Sequence, residues 1–276
     1  MRRWLALVAC LLTLASSAQS RADAGGDEQP ANVIRRALEA VQRGAYDDAV
    51  DQLEALADRG FVHPDASSAR AYVYVERARS RAKHSGDSGR AIAALEETQK
   101  LQAARTLEPK IAALQSEISR QRAREGNAPV LQRPTLGRAI TSLLPENAWA
   151  ALAALGSTLV TAGLLFYLFV KRRSSEIAGA TAIVVGLLLG GIGSCLTLGA
   201  RHYRKTSRAA VVVVGEARLL GADGRALQPV KNQPTAIPEG SLVYVREQGE
   251  RFAHVEWGSV EGWLDPSQLQ LLATLD

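Results

Sequence analysis

Cysteine is nearly absent from this sequence: Cys10 and Cys195 are the only two in 276 residues. Both stand in apolar runs, so the polar regions have no disulfide available and must cohere by packing. Aromatics are scarce as well, at 5% of the chain. The four histidines, at 63, 84, 202 and 254, are scattered, and no Cys or carboxylate cluster supplies metal-ligand spacing. A Gly-x-Ser-x-Gly elbow and a Gly-x-x-x-x-Gly-Lys phosphate loop are also missing. Nothing here points to catalysis, a cofactor or a metal, and the expectation is a protein that is not an enzyme.

A third absence is more informative. Residues 149–170 and 177–200 contain no Asp, Glu, Lys or Arg. Each run exceeds the roughly 20 residues a helix needs to cross a bilayer. A soluble core pair would rarely stay apolar on every face for this length, so the expectation is a transmembrane hairpin over 146–200. The connector is only Lys171-Arg172-Arg173-Ser174-Ser175-Glu176, so both flanking regions lie on one side of the membrane. With no ionisable residue mid-span, ion or proton conduction has little support and the hairpin reads as an anchor.

The side follows from the start of the chain. Met1-Arg2-Arg3 is a basic n-region, residues 4–14 are apolar, and small residues follow at Ser16 and Ala18 or at Ser20 and Ala22. Residues 1–22 therefore read as a signal peptide. Leu7-Val8-Ala9-Cys10 matches a lipoprotein box in composition, although few apolar residues precede it. Whether cleaved or retained, such a start exports the region after it. Charge gives a conflicting cue. The connector carries three cations, yet Arg133, Arg138, Arg201, Arg204, Lys205 and Arg208 make the outer flanks more basic. Export of the first region outweighs that count. The net charge of +5 then favours anionic lipid head groups at the bilayer surface, and nucleic acid is a poor partner outside the cytoplasm.

Residues 30–103 have helical periodicity. Val33, Ala37, Ala40 and Val41 recur at spacings of three and four, as do Ala49, Leu53 and Leu56. Gly44-Ala45-Tyr46-Asp47-Asp48-Ala49 is a turn between helices, and Gly86 to Ala91 repeats it 42 residues later. This resembles the tetratricopeptide repeat, in which Gly44, Tyr46, Ala49, Gly86 and Ala91 would shape and pack the helix pairs. The second copy departs from the pattern with Arg79 and Ala82 where a glycine and an aromatic are usual, and its spacing exceeds the usual ~34 residues. Residues 104–145 read as a capping helix and linker. Pro109 sits in a first turn, Ile111, Leu114 and Ile118 make an apolar stripe, and Gly126-Asn127-Ala128-Pro129 breaks the helix. Arg120, Arg122 and Arg124 are either a solvated helix end or contacts for lipid phosphates or an acidic partner.

Small residues recur every four positions in both apolar runs: Ala182, Gly186, Gly190 and Ser194, and Ala150, Ala154, Thr158 and Ala162. Such ribbons let helices approach closely in lipid, either within the hairpin or against a partner membrane protein.

After Arg208 the texture is β. Residues 209–214 are rich in valine, 242–246 and 251–256 flank a turn as a hairpin, and Gly258-Ser259 precedes a further run at 260–264. The order of a Val-rich strand, a punctuated loop, Glu239-Gly240, a hairpin and a closing Gly262-Trp263 resembles the bacterial SH3-like family. That family's barrels bind peptides or cell-wall material through aromatic clefts. Tyr244, Phe252, Trp257 and Trp263 are the candidates for such a partner-binding cleft, with core filling as the alternative.

The expected fold class is thus a multidomain membrane protein. It combines all-α tetratricopeptide-like helical repeats, a transmembrane α-hairpin and a small all-β SH3-like barrel over 208–276. This combination resembles the BatE-like aerotolerance proteins of bacterial envelopes, with Gly86 to Leu95, Leu144-Pro145-Glu146-Asn147-Ala148-Trp149 and Gly262-Trp263 as supporting segments. The resemblance implies a non-enzymatic partner in an inner-membrane complex with von Willebrand factor A-type proteins and associated ATPases. Both soluble domains would lie on the periplasmic side, and the role would be in aerotolerance or envelope stress. The alternative is a tether or sensor whose barrel binds peptidoglycan.

Overall fold

The structure is a computed structural model that describes residues 29–102, 105–125, 135–169, 173–227 and 235–273. The signal-like segment with Cys10, the linker at 126–134, Lys171 and Arg172 of the connector, and residues 228–234 lie outside the described residues. The described chain is mostly helical, with two long apolar helices and a small antiparallel sheet.

Five helices form the first layer: α1 (Pro30–Gln42), α2 (Tyr46–Asp58), α3 (Pro64–Arg79), α4 (Asp87–Gln102) and α5 (Glu108–Arg124). Helices α1, α3 and α5 each have proline in the first turn, where a missing N–H costs no intrahelical bond. Gly44 and Gly86, at equivalent turns, adopt φ of +77° and +90°, a conformation glycine reaches without Cβ strain. Ala37, Ala40, Ala49 and Ala91 are fully buried, and their small side chains let α1 to α4 pack closely around Leu53 and Val73.

Charge also ties this layer together. Arg70 and Arg77, two turns apart on α3, both point inward. The Arg77 guanidinium donates Nη2 to Asp87 Oδ1 at 2.6 Å, Nε to Asp87 Oδ2 at 3.1 Å and Nη1 to Asp47 at 2.8 Å. Arg70 donates to Glu97 at 2.6 Å, and Ser67 donates to the same oxygen. Neither cation is buried alone, which would cost several kcal/mol. The bidentate pair also fixes α3 on the N-terminus of α4.

Among the described residues the β-domain has seven strands: β1 (Arg208–Val212), β2 (Glu216–Arg218), β3 (Ala236–Pro238), β4 (Leu242–Gln248), β5 (Ala253–Trp257), β6 (Val260–Leu264) and β7 (Leu269–Leu271). Five form an antiparallel sheet in the order β6-β5-β4-β1-β7, and β2 pairs with β3. The strand β7 and the β2–β3 pair are additions to the sequence reading. Their three-residue length leaves too few alternations to recognise.

Strand β1 is buried on both faces. Ala210 and Val212 join the core of the β-domain, whereas Ala209 and Val211 join a core with Ile92, Leu95, Ile111 and Ile118. The helical layer and the β-domain therefore share apolar packing. Helix α5 reaches the β-domain as well: Ile118 faces Gly240, and Arg122 donates to Gly215 O at 3.1 Å.

The apolar runs form an antiparallel pair, α7 (Glu146–Phe169) and α8 (Arg173–Thr206), each long and apolar enough to cross a membrane. Their packing differs from the every-four ribbons. Ala150, Ala154, Thr158 and Ala162 are exposed, and so is Ser194, while Ala182 and Gly190 are half-buried. The close contacts fall every seven residues: Trp149, Gly156 and Gly163 on α7 against Gly193, Gly186 and Gly179 on α8. A Cβ on Gly163 would lie 2.8 Å from Gly179 O, and one on Gly186 2.7 Å from Gly156 O. Gly190 does approach Gly156, whose Cβ would meet its nitrogen at 2.3 Å. The reason is helical phase. Four-residue steps drift by about 40° each at 3.6 residues per turn, whereas seven-residue steps drift by only ~20° and stay on one face. Helix α8 also continues six residues past the apolar run, to Thr206, and enters β1 through Ser207 alone. A short helix, α6 (Leu136–Thr141), packs along this extension.

Candidate functional site

The four aromatics Tyr244, Phe252, Trp257 and Trp263 of the β-domain do not gather in one cleft. On β5, Ala253, Val255 and Trp257 point inward, so Trp257 is 9% exposed and belongs to the β-domain core. Trp263 is cross-strand partner to His254, on the outer face, and their rings stand 4.9 Å apart. Phe252 is exposed near the β4–β5 turn.

Tyr244 lies beneath Arg138, whose guanidinium sits 3.7 Å from the ring centroid. It also packs against the core shared with the helices, so this aromatic serves the chain's own assembly. Burial raises the Tyr244 hydroxyl pKa despite the neighbouring cation.

Around Arg138 three elements meet. From α6 its Nη2 reaches Glu256 Oε2 on β5 at 3.1 Å and Ser207 Oγ at 3.0 Å, and its guanidinium also lies over Tyr203 of α8. Arg246 contacts the same Glu256 oxygen at 3.0 Å. Burial by itself would raise the Glu256 carboxyl, but the hydrogen bonds and charges of Arg138 and Arg246 outweigh it and hold the pKa below the usual value.

A second polar joint caps α4 from the β-domain. Glu239, in the turn before β4, accepts from Gly89 N–H at 2.7 Å in the first turn of α4. Glycine is required on that side: a Cβ on Gly89 would meet Val212 O at 2.6 Å, and one on Gly86 would meet Val213 O at 2.0 Å. Gly86 thus serves the docking of β1 as well as the turn between α3 and α4.

A groove of about 780 Å³ opens on the face formed by α1, α3 and α5, with Leu95 of α4 also in its lining. Ile34 and Leu38 come from α1, Tyr72 and Val75 from α3, and Ala113 and Leu114 from α5. Asp65, Glu76, Arg79, Lys110 and Glu117 surround this apolar floor, with Arg79 and Glu117 paired at 3.8 Å. Tyr72 is 49% exposed. Among these, the sequence singles out Leu114, as part of the cap's stripe, and Arg79, as a departure from the repeat pattern. The available signal was Ala71-Tyr72-Val73-Tyr74-Val75, an unbroken apolar run that puts packing groups on more than one face of α3. Val73 faces the core and Tyr72 the groove.

This arrangement can hold an apolar segment with charges along its edges. Among the described residues, no group of three or more His, Cys, Asp or Glu is placed to hold a metal ion. Comparison of the chain with protein-family models, curated proteins and solved structures finds no match.

Proposed function

We propose that this chain is a non-enzymatic scaffold anchored in the bacterial inner membrane, with its groove holding an amphipathic segment of a partner protein. One observation carries this reading: the α4 side of the helical layer is committed to the β-domain, while the α1–α3–α5 side is open, apolar and rimmed with charge. The 42-residue recurrence of the Gly44 and Gly86 turns supports a tetratricopeptide-like layer. The strand order and Gly262-Trp263 support an SH3-like β-domain. Helices α7 and α8 cross the bilayer in this reading, with both soluble parts on the periplasmic side. The resemblance of the sequence to BatE-like proteins makes von Willebrand factor A-type proteins the partner class to test, in an aerotolerance or envelope-stress complex.

The test places a photoreactive amino acid at Tyr72 in the full chain, co-expressed with such a partner. An adduct is expected, lost on Val75→Arg, and the same probe at Phe252 gives none. Adducts from Phe252 with none from Tyr72 would overturn the groove assignment.

A second reading, a cell-wall tether, draws on the half-exposed His254–Trp263 pair beside exposed Phe252. Because the β-domain shares a core with the helices, the whole chain is the proper sample. Sedimentation with isolated cell wall that is lost on Trp263→Ala supports the tether, and no sedimentation rejects it.

A further inference from the structure

The segment from α6 to the start of α7 has two faces of opposite character. Inward, Arg138 binds Glu256 and Ser207, Gly137 lies against the Tyr203 hydroxyl, and Thr141 approaches Gly199. The indole of Trp149 donates to Thr141 O at 3.2 Å and ties the segment to α7. Outward stand Leu136 at 79% exposure, Ile140 at 38%, Leu143 at 60% and Leu144 at 43%. Leu136 and Ile140, four residues apart, share one side of α6, and Leu143 and Leu144 stand in the bend that follows it. Four exposed aliphatics in nine residues are unusual for a surface meant for water.

The neighbouring helix gives their height. The hydrocarbon core takes about 20 residues of helix, so if α8 enters it at Ile177 it leaves near Thr197. Gly199 and Tyr203, the neighbours of Thr141 and Gly137, then stand about 3 to 9 Å above that edge at 1.5 Å per residue. The head-group layer is roughly 5 to 8 Å deep on each side. At this level and one turn above it α8 exposes Arg201, His202, Arg204 and Lys205, of which Arg204 pairs with Glu146 at 2.8 Å. Apolar side chains flanked by cations, continuous with the apolar surface of the hairpin, are the composition of an interfacial anchor.

We propose that Leu136, Ile140, Leu143 and Leu144 are immersed in the head-group layer of an anionic phospholipid leaflet, with Arg201 and Lys205 against its phosphates. The inference rests on the reading that α7 and α8 span the bilayer. Its consequence is that the soluble body is fixed on the membrane surface: lipid grips one face of α6, and Arg138 on the other face grips the β-domain.

The test uses the full chain with Cys10→Ser and Cys195→Ser in nanodiscs of phosphatidylglycerol and phosphatidylcholine. Single substitutions Ile140→Cys, Leu143→Cys, Leu187→Cys and Ser259→Cys each carry an environment-sensitive fluorophore. Positions 140 and 143 should be quenched by head-group spin-labelled lipid and protected several-fold from a water-soluble quencher relative to 259. Position 187, exposed near the middle of the α8 run, should be quenched by a deep acyl-chain label. Quenching of 140 and 143 from water as freely as 259, with 187 still in lipid, would overturn the interfacial contact and leave the span intact. Water access at 187 would overturn the span and the inference together.

Discussion

Arg138 and Glu256, 118 residues apart in sequence, form a buried ion pair at 3.1 Å where the membrane-proximal segment meets the β-domain. Neither charge tolerates loss of the other well, since an unpaired buried charge is costly to retain. Arg138→Gln should cost about 3 kcal/mol, the low end for a broken buried pair, because Arg246 still reaches Glu256. A double-mutant cycle with Glu256→Gln, read by thermal unfolding of the full chain in detergent, should give a coupling of about 1–3 kcal/mol. Additive losses would mean the pair contributes nothing as a pair.

The same carboxylate sets an acid limit. Its folded pKa lies below the ordinary 4.5, so it contributes stability above the unfolded value and loses it as pH falls through the folded one. The thermal midpoint should therefore drop on acidification below 4.5. Glu256→Gln should flatten that part of the profile. An unchanged profile in the variant would assign the acid sensitivity to other carboxylates.

Gly44 and Gly86 occupy equivalent turns yet should respond differently to alanine. At Gly44 a Cβ meets nothing within 4 Å, leaving only the cost of a positive φ, about 1 kcal/mol. At Gly86 the Cβ would collide with Val213 O, adding about 1–3 kcal/mol of overpacking. Unfolding curves of Gly44→Ala and Gly86→Ala report the difference. Equal losses would contradict the docking of β1 on this turn.

The hairpin makes a similar contrast. Gly156→Leu should lower the stability by about 1–3 kcal/mol through overpacking, whereas Ala154→Leu, on an exposed face, should leave it nearly unchanged. The opposite order would restore the every-four ribbon.

Much of this was legible in the chain because the signals are local. Val33, Ala37, Ala40 and Val41 announce α1 by spacing alone, and the charge-free runs announce α7 and α8 by length. The docking of the two soluble parts was harder to read, although a trace of it stands in Ala209-Ala210-Val211-Val212-Val213. A strand with one wet face alternates, and this one does not, because its second face packs on α4 and α5. Arg138 left no such trace, since nothing near residue 138 marks a partner at 256. The groove was missed for a related reason: Ile34, Tyr72 and Leu114 become neighbours only once three helices align. For Trp263 the sequence leaves cleft and core filling both open, and only the register with His254 puts it on the outer face.

The most direct test of the central account, one body made of helices and β-domain on the outer side of the membrane, is a cross-link. Arg122 and Glu216 approach to 3.4 Å across the two parts. The full chain with Arg122→Cys, Glu216→Cys, Cys10→Ser and Cys195→Ser, treated in intact cells with a short membrane-impermeant bis-maleimide, should form an intramolecular cross-link without lysis. Each single-cysteine chain should give only the mono-adduct. Cross-linking only after lysis would contradict the topology. Mono-adducts at both sites with no cross-link, before or after lysis, would contradict the docking.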